Sequence, residues 1–193
     1  MKTTKMETIM TKPKPDKLER IRRRLSRVET KIDAIGKTVA DLSQKNLLYW
    51  AYGANLNVVA MRRRCPDAKK VGRLILPHGQ LTFRGVADVE IVDDPAATIS
   101  GGLWEISRID EANLDIFEGV KQGVYAKRYM LLRFRGEERR CMFYKMSDGC
   151  AIDPPYEHYY DTIAGGYSDF DLDKRCLEEA LARSWADSKK DRR

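Results

Sequence analysis

Apolar residues recur at Leu18, Ile21, Leu25, Val28, Ile32, Ile35, Val39 and Leu42, in alternating steps of three and four with no polar interruption. A stripe only two positions wide is a heptad seam, and it predicts a coiled-coil helix over 18–45 rather than the broader apolar face of a helix lying on a globular core. Pro13 and Pro15 stop the helix from extending backwards and Asp16 can cap its start, so residues 1–17 are expected to be a disordered basic tail. About three and a half heptads at about 1.5 Å per residue make a rod about 40 Å long, and a single such helix cannot cover its own seam. The expected partner is another copy of the chain. Ile21, Val28 and Ile35 crowd the seam position where parallel dimers prefer leucine, which favours a trimer or tetramer as the homo-oligomer built through residues 18–45.

Charge separates this arm from the body of the chain. Before residue 46, thirteen lysines and arginines face six acids, a balance of +7 that equals the net charge of all 193 residues. The body is therefore electrically balanced, and nucleic acid is not expected as a partner; Arg22, Arg23 and Arg24 lie off the seam and read as a solvated face. Four cysteines without a CxxC pair and only two histidines offer no metal constellation, and no cofactor is expected. The first residues lack the apolar run of a secretory signal, and no run of about 18 apolar residues exists for a membrane span. A cytoplasmic protein with free thiols and no membrane association is the expectation.

The body is expected over 46–187, with a disordered tail at 188–193. Residues 47–52 read as a buried strand that leads through a polar loop into a short helix at 57–64. Two strands, 74–75 and 80–83, flank the Pro77-His78-Gly79 turn, and 99–106 forms another whose Gly101 and Gly102 point to a bulge or a close backbone approach. A helix over 110–117 begins with acids, two strands over 125–135 and 138–146 bracket Gly136, and helices over 156–164 and 171–186 come last, the second capped by its aspartate. This order predicts an α+β fold: a mixed sheet curled into a small β-barrel with packed helices, preceded by the coiled-coil helix.

Two stretches carry chemistry. Tyr52-Gly53-Ala54-Asn55-Leu56 ends a strand with little side-chain bulk, so glycine's access to positive φ and the small neighbours let main-chain N–H groups converge on an anion or a polarised carbonyl. Glu118 closes a helix beside Leu114 and Phe117, both expected to face the core, and a carboxylate against apolar surface has its pKa raised toward the range useful for proton transfer. A structural turn and a solvated helix-end glutamate are the alternatives that these stretches alone leave open.

The ordered set of motifs resembles the γ-glutamylcyclotransferase-like (AIG2-like) family. Tyr52-Gly53-Ala54-Asn55-Leu56 matches the YGSNL signature, and Gly101-Gly102-Leu103-Trp104 resembles GxLY. Leu114-Asp115, Glu118-Gly119, Gly123 and Tyr125 match LDxxEGxxxGxY, and Pro155 through Gly166 resembles PSxxYLxxIxxGA. The four blocks span residues 52 to 166, with Ala54 and Tyr156 standing where the family carries serine. The resemblance implies an enzyme, an acyltransferase or lyase type of intramolecular cyclisation, that converts a γ-glutamyl amide or amine into 5-oxoproline and a free amine. It casts Glu118 as general acid and base. Tyr52, Gly53, Ala54, Asn55 and Leu56 would bind substrate through the loop, and Tyr125 and Tyr159 would close the pocket with their hydroxyls. The other reading is a non-catalytic module that binds a small metabolite and is multiplied by the coiled coil.

Overall fold

A computed structural model describes residues 17–44 and 47–189, and for 38–44 the backbone alone. The expected disordered tails fall almost wholly outside those residues; within them, Lys17 opens a helix and Ser188 ends one. Compactness divides the chain near Asp41 and Leu42 into two units. In the first, α1 (Lys17–Gln44) is one 28-residue helix. Its seam residues Leu18, Ile21, Leu25, Val28, Ile32 and Ile35 are 45–63% exposed. Among the described residues no helix is long and apolar enough to cross a membrane.

The second unit is built on a five-stranded mixed sheet in the order β2-β5-β1-β7-β6. Its strands are β1 (Leu47–Ala51), β2 (Lys69–Pro77), β5 (Thr98–Ile106), β6 (Tyr125–Phe134) and β7 (Glu137–Met146). β1 takes the centre because its sequence is apolar on both faces, as a strand covered on both sides must be. It runs antiparallel to β5 and parallel to β7. The sheet ends in two edges, β2 and β6, so it is open rather than closed into the expected barrel. A physical reason lies at the Pro77 turn. His78 adopts a left-handed φ of 55°, and β3 (Gly79–Phe83) leaves the main sheet to pair with β4 (Ala87–Ile91) in a separate two-stranded sheet.

β4 is not evident in the sequence because its first turnward residues include Asp88, an acid that reads as loop. Asp88 is in fact 1% exposed, and its Oδ1 accepts the Met146 N–H at 2.9 Å while Arg84 and Lys145 face Oδ2. Gly101 and Gly102 serve close approach rather than a bulge. A Cβ on Gly101 would stand 2.2 Å from Trp50 Nε1, and one on Gly102 2.6 Å from the Phe170 ring, while the register shift falls between Lys70 and Gly72 on β2.

Helices complete the unit. α2 (Val58–Arg64) starts where Asn57 accepts the Ala60 N–H, and its first N–H is taken by Asp169 at 2.8 Å. α3 (Arg108–Phe117) begins two residues before the expected start because Ser107 and Asp110 form a reciprocal capping box. α4 (Glu157–Asp169) runs five residues past the expected end through Gly165 and Gly166. The second glycine lets the helix close on Leu56, whose Cβ would lie 2.4 Å from any Cβ placed there. α5 (Arg175–Ser188) starts four residues later than expected: Asp171 takes a left-handed φ of 52°, so it ends a turn instead of capping a helix.

Candidate active site

Glu118 is set by the way α3 stops. Leu114 is fully buried and anchors the helix, the Glu118 N–H still donates to the Leu114 carbonyl at 2.8 Å, and Gly119 then turns the chain with a left-handed φ of 63°. Phe117 does not join the core as expected. It is 53% exposed and lies beneath Arg64, whose guanidinium carbon stands 3.5 Å from the ring centroid.

The loop after β1 departs from its expected mechanism in two ways. Gly53 has φ −112°, so the left-handed region is not the reason for glycine. Space is: a Cβ there would meet the Ala87 Cβ at 3.0 Å and the Tyr159 hydroxyl at 3.5 Å. Residues Ala54–Leu56 form a 3₁₀ turn, which spends the N–H groups of Leu56 and Asn57 on the carbonyls of Gly53 and Ala54 at 2.9 and 3.2 Å. The main-chain nest is thus partly used up internally, and a side chain takes over. Asn55 Nδ2 donates to Glu118 Oε1 and to the Tyr49 hydroxyl, each at 2.7 Å, while its Oδ1 accepts from Arg64. Trp104 holds the Asn55 carbonyl at 3.1 Å, which fixes the backbone beneath.

Together these groups enclose a cavity of about 310 Å³, the size of a small-metabolite site. Tyr52, Gly53, Ala54, Asn55, Glu118, Tyr125 and Tyr159 line it, so seven of the residues expected at a site meet in one place. Leu56 does not. It is fully buried, packed against α4, and its part is to hold the loop down. Tyr156, where the motif departs from serine, is 76% exposed and stacks on His158 away from the cavity. Sequence reading missed Tyr49, Tyr144 and Phe117 in the wall and Arg64 behind it. Tyr49 lies two residues inside a strand that reads as core, and Arg64 sits among three consecutive arginines whose roles only the fold separates.

Five tyrosines line the cavity, and their hydrogen bonds sort them. The hydroxyls of Tyr52, Tyr125 and Tyr144 donate to the Tyr144 carbonyl, the Ala87 carbonyl and Asp115 Oδ1, at 2.7, 2.6 and 2.8 Å. Tyr49 and Tyr159 instead accept, from Asn55 and from the Ala87 N–H at 3.2 Å, and no protein acceptor among the described residues takes their own hydrogens. Burial raises the pKa of all five, so they face the cavity as neutral phenols.

Burial also raises the pKa of Glu118, against the opposing pull of the Asn55 amide and the Arg64 guanidinium. That combination suits a carboxylate that must both take and return a proton. Competing nucleophiles are weak nearby. Burial pushes the Cys65 and Cys141 thiols up to about 12, so both stay protonated. No cluster of three metal-ligating side chains occurs among the described residues.

The sequence profile of the AIG2-like family matches residues 98–172, which contain α3, Glu118 and α4. The chain is 27% identical to the γ-glutamylcyclotransferase of Bos taurus over 63% of its own length and 70% of that protein. It is 28% identical to the Mus musculus γ-glutamylcyclotransferase over 72% of its own length and 79% of that protein. Its fold is similar to a solved structure of a γ-glutamyl cyclotransferase, with a TM-score of 0.61 and 26% identity over 72% of this chain and 88% of that one. These likenesses support kinship with the γ-glutamylcyclotransferases and a mixed α+β fold of their type.

Proposed function

We propose that the protein is a γ-glutamylcyclotransferase: it closes a γ-glutamyl amide or amine into 5-oxoproline and releases the amine. The observation that carries this reading is Glu118, a half-buried carboxylate whose pKa is raised by desolvation, held by Asn55 inside a cavity walled by the Tyr52–Asn55 loop. The α-ammonium of the substrate gives a proton to Glu118. The freed amine attacks the γ-carbonyl carbon, and Glu118 returns its proton to the departing nitrogen as the γ C–N bond breaks and the five-membered lactam closes. The second proton, shed by the ring nitrogen, passes by way of Glu118 to the released amine, which leaves as an ammonium. Both reacting groups belong to one molecule, so the site has only to bend the glutamyl chain, and a cavity of about 310 Å³ suits that compact conformer.

The phenols divide the remaining work. Tyr49 and Tyr159 have hydrogens available for the carbonyl oxygen as it gains charge, and a well-aimed donor of this kind is worth about 3–4 kcal/mol in the transition state. Tyr125, expected to bind substrate, has its hydrogen committed to Ala87 and serves the wall. No metal or cofactor enters this scheme. Incubation of the protein with γ-glutamyl peptides, amino acids and amines, followed by assay for 5-oxoproline, tests the reading; release of none from any member of the panel refutes it.

The division into an arm over 18–45 and a catalytic body over 46–187 belongs to the same proposal, as does self-association of α1. The exposed seam supports it, and so does the charge beside the seam. Arg24 and Glu29 stand five residues apart on its two flanks, the spacing at which neighbours in a parallel bundle pair.

A further inference from the structure

Asparagine and arginine meet behind the cavity in an arrangement that fixes the direction of the two hydrogen bonds Asn55 makes in front of it. A guanidinium only donates, so the Asn55 atom facing Arg64 is its oxygen, and the NH₂ group is forced toward Tyr49 and Glu118. Both amide hydrogens are then used, one on the Tyr49 hydroxyl and one on Glu118 Oε1. The cavity is affected at two atoms. Among the described residues, Glu118 Oε2 receives no protein hydrogen bond and stays available to exchange protons. The Tyr49 hydroxyl, already an acceptor, keeps its own hydrogen for a ligand.

Arg64 is itself held. It is the last residue of α2, its guanidinium lies on the Phe117 ring at 3.5 Å, and Phe117 immediately precedes Glu118. Asn113 on α3 donates to the Arg64 carbonyl at 3.1 Å, so the end of α2 and the end of α3 are tied at two points.

We propose that Arg64 is a positioning residue of this site: by capturing Asn55 Oδ1 and stacking on Phe117 it locks the amide with its NH₂ toward the cavity, and so aligns Glu118 and Tyr49 as a pair. It touches no substrate. Without it the amide can turn over and present its oxygen to the Glu118 carboxylate, acceptor against acceptor, which pushes the carboxylate out of place. A neighbouring arginine cannot substitute, since Arg62 and Arg63 are exposed on other faces of α2. This inference rests on the reading of Glu118 as the acid–base group, but its central measurement does not require turnover.

Among the described residues, the groups that face Glu118 electrically are Arg64, Cys65, Tyr49, Tyr52, Tyr125, Tyr144 and Tyr159; Arg64 is the only cation among them, and the thiol and the phenols are neutral. Replacing Arg64 with the similarly long, uncharged methionine in R64M should therefore raise the pKa of Glu118 and move the acidic limb of the pH–rate profile upward. Misalignment of the pair should lower kcat by about 100-fold with little change in KM, the cost typical of an ångström-scale displacement of a reacting group. R64K keeps the charge but cannot both stack as a plane and reach the amide. It should leave the Glu118 titration near that of wild type while recovering only part of kcat.

The experiment is a carboxyl-carbon NMR titration of the full chain labelled at glutamate, with E118Q assigning the resonance, alongside pH–rate profiles for wild type, R64M and R64K. An upward Glu118 titration in R64M, absent in R64K, is the expected result. Superimposed Glu118 titrations in wild type and R64M, or wild-type kcat in R64K, overturn the proposal. Should R64M fail to fold, the kcat of R64K decides it. If wild type releases no 5-oxoproline from any substrate, the proposed function fails, and the NMR titration still judges the link between Arg64 and Glu118.

Discussion

Two apolar surfaces in this chain are made from similar residues and meet opposite fates. Along α1, Leu18 to Ile35 remain about half exposed at every seam position, whereas Leu48, Trp50, Leu56 and Trp104 in the body are 0–2% exposed. Burial of a leucine-sized side chain stabilises by about 1.5–3 kcal/mol, a gain that the body makes within one chain and that the exposed α1 seam residues forgo. The difference teaches where chemistry can be held. A regular two-position stripe offers an apolar surface but no concave site, while irregular packing of loop, helix end and strands makes a cavity in which burial raises the pKa of a carboxylate.

The sharpest test of the body is Glu118→Gln. It keeps the acceptor for Asn55, leaves the fold intact, and should cut 5-oxoproline release by about 10²–10⁴-fold, the usual weight of a general acid–base group. The same variant should be more thermally stable than wild type at neutral pH. The folded pKa of Glu118 lies above its unfolded value, so the ionised carboxylate costs stability above the folded pKa and costs nothing below the unfolded one. The difference in melting temperature should therefore close as pH falls through that interval; a gap that stays constant with pH would show that Glu118 is not the titrating group.

The corresponding test of the arm is Leu25→Asp with Ile32→Asp. Two charges on the seam should reduce the mass seen by light scattering to that of one chain and leave kcat unchanged, because the described residues that line the cavity all belong to the second unit. A wild-type chain that is already monomeric ends the self-association proposal outright.

Smaller effects probe the packing that holds the cavity. Gly166→Ala pushes α4 away from Leu56 and should lower stability by about 1–3 kcal/mol, as overpacking does, and weaken substrate binding through the displaced loop. On the sheet-facing side of α3, Lys127 bridges Glu111 and Asp115 at 2.8 and 2.9 Å. Burial opposes ionisation of Glu111, but the hydrogen bonds from Lys127 and Arg108 outweigh it and its pKa is lowered. Lys127→Met should therefore cost about 1–2 kcal/mol near neutrality. The cost should fade as pH falls below the usual glutamate range through the lowered folded pKa, since the pair's contribution is present above the unfolded value and lost on protonation. A denaturant series across pH measures it. Least of all, Ala54→Ser should change kcat/KM by less than about threefold, because Asn55 rather than position 54 carries the side-chain contacts of the loop.

Much of this was legible before any coordinates. Heptad spacing wrote α1, the apolar run wrote β1, Gly119 wrote the end of α3, and the motif blocks drew attention to Glu118 and the Tyr52–Leu56 stretch. These are local signals: periodicity, caps and breakers act within one element, so the sequence alone determined the helices, most strands and the candidate acid. What only the tertiary structure decided is long-range. Asp88 reads as loop until Met146 and two cations solvate it inside the protein, and only then does 87–91 become a strand that turns the expected barrel into an open sheet with a two-stranded companion. Gly53 is required by Ala87 and Tyr159, Gly166 by Leu56, and Arg64 by an amide nine residues before it. The direction of a hydrogen bond depends on which partner is a pure donor, and no spacing along a chain encodes which arginine of three will be brought beneath an asparagine.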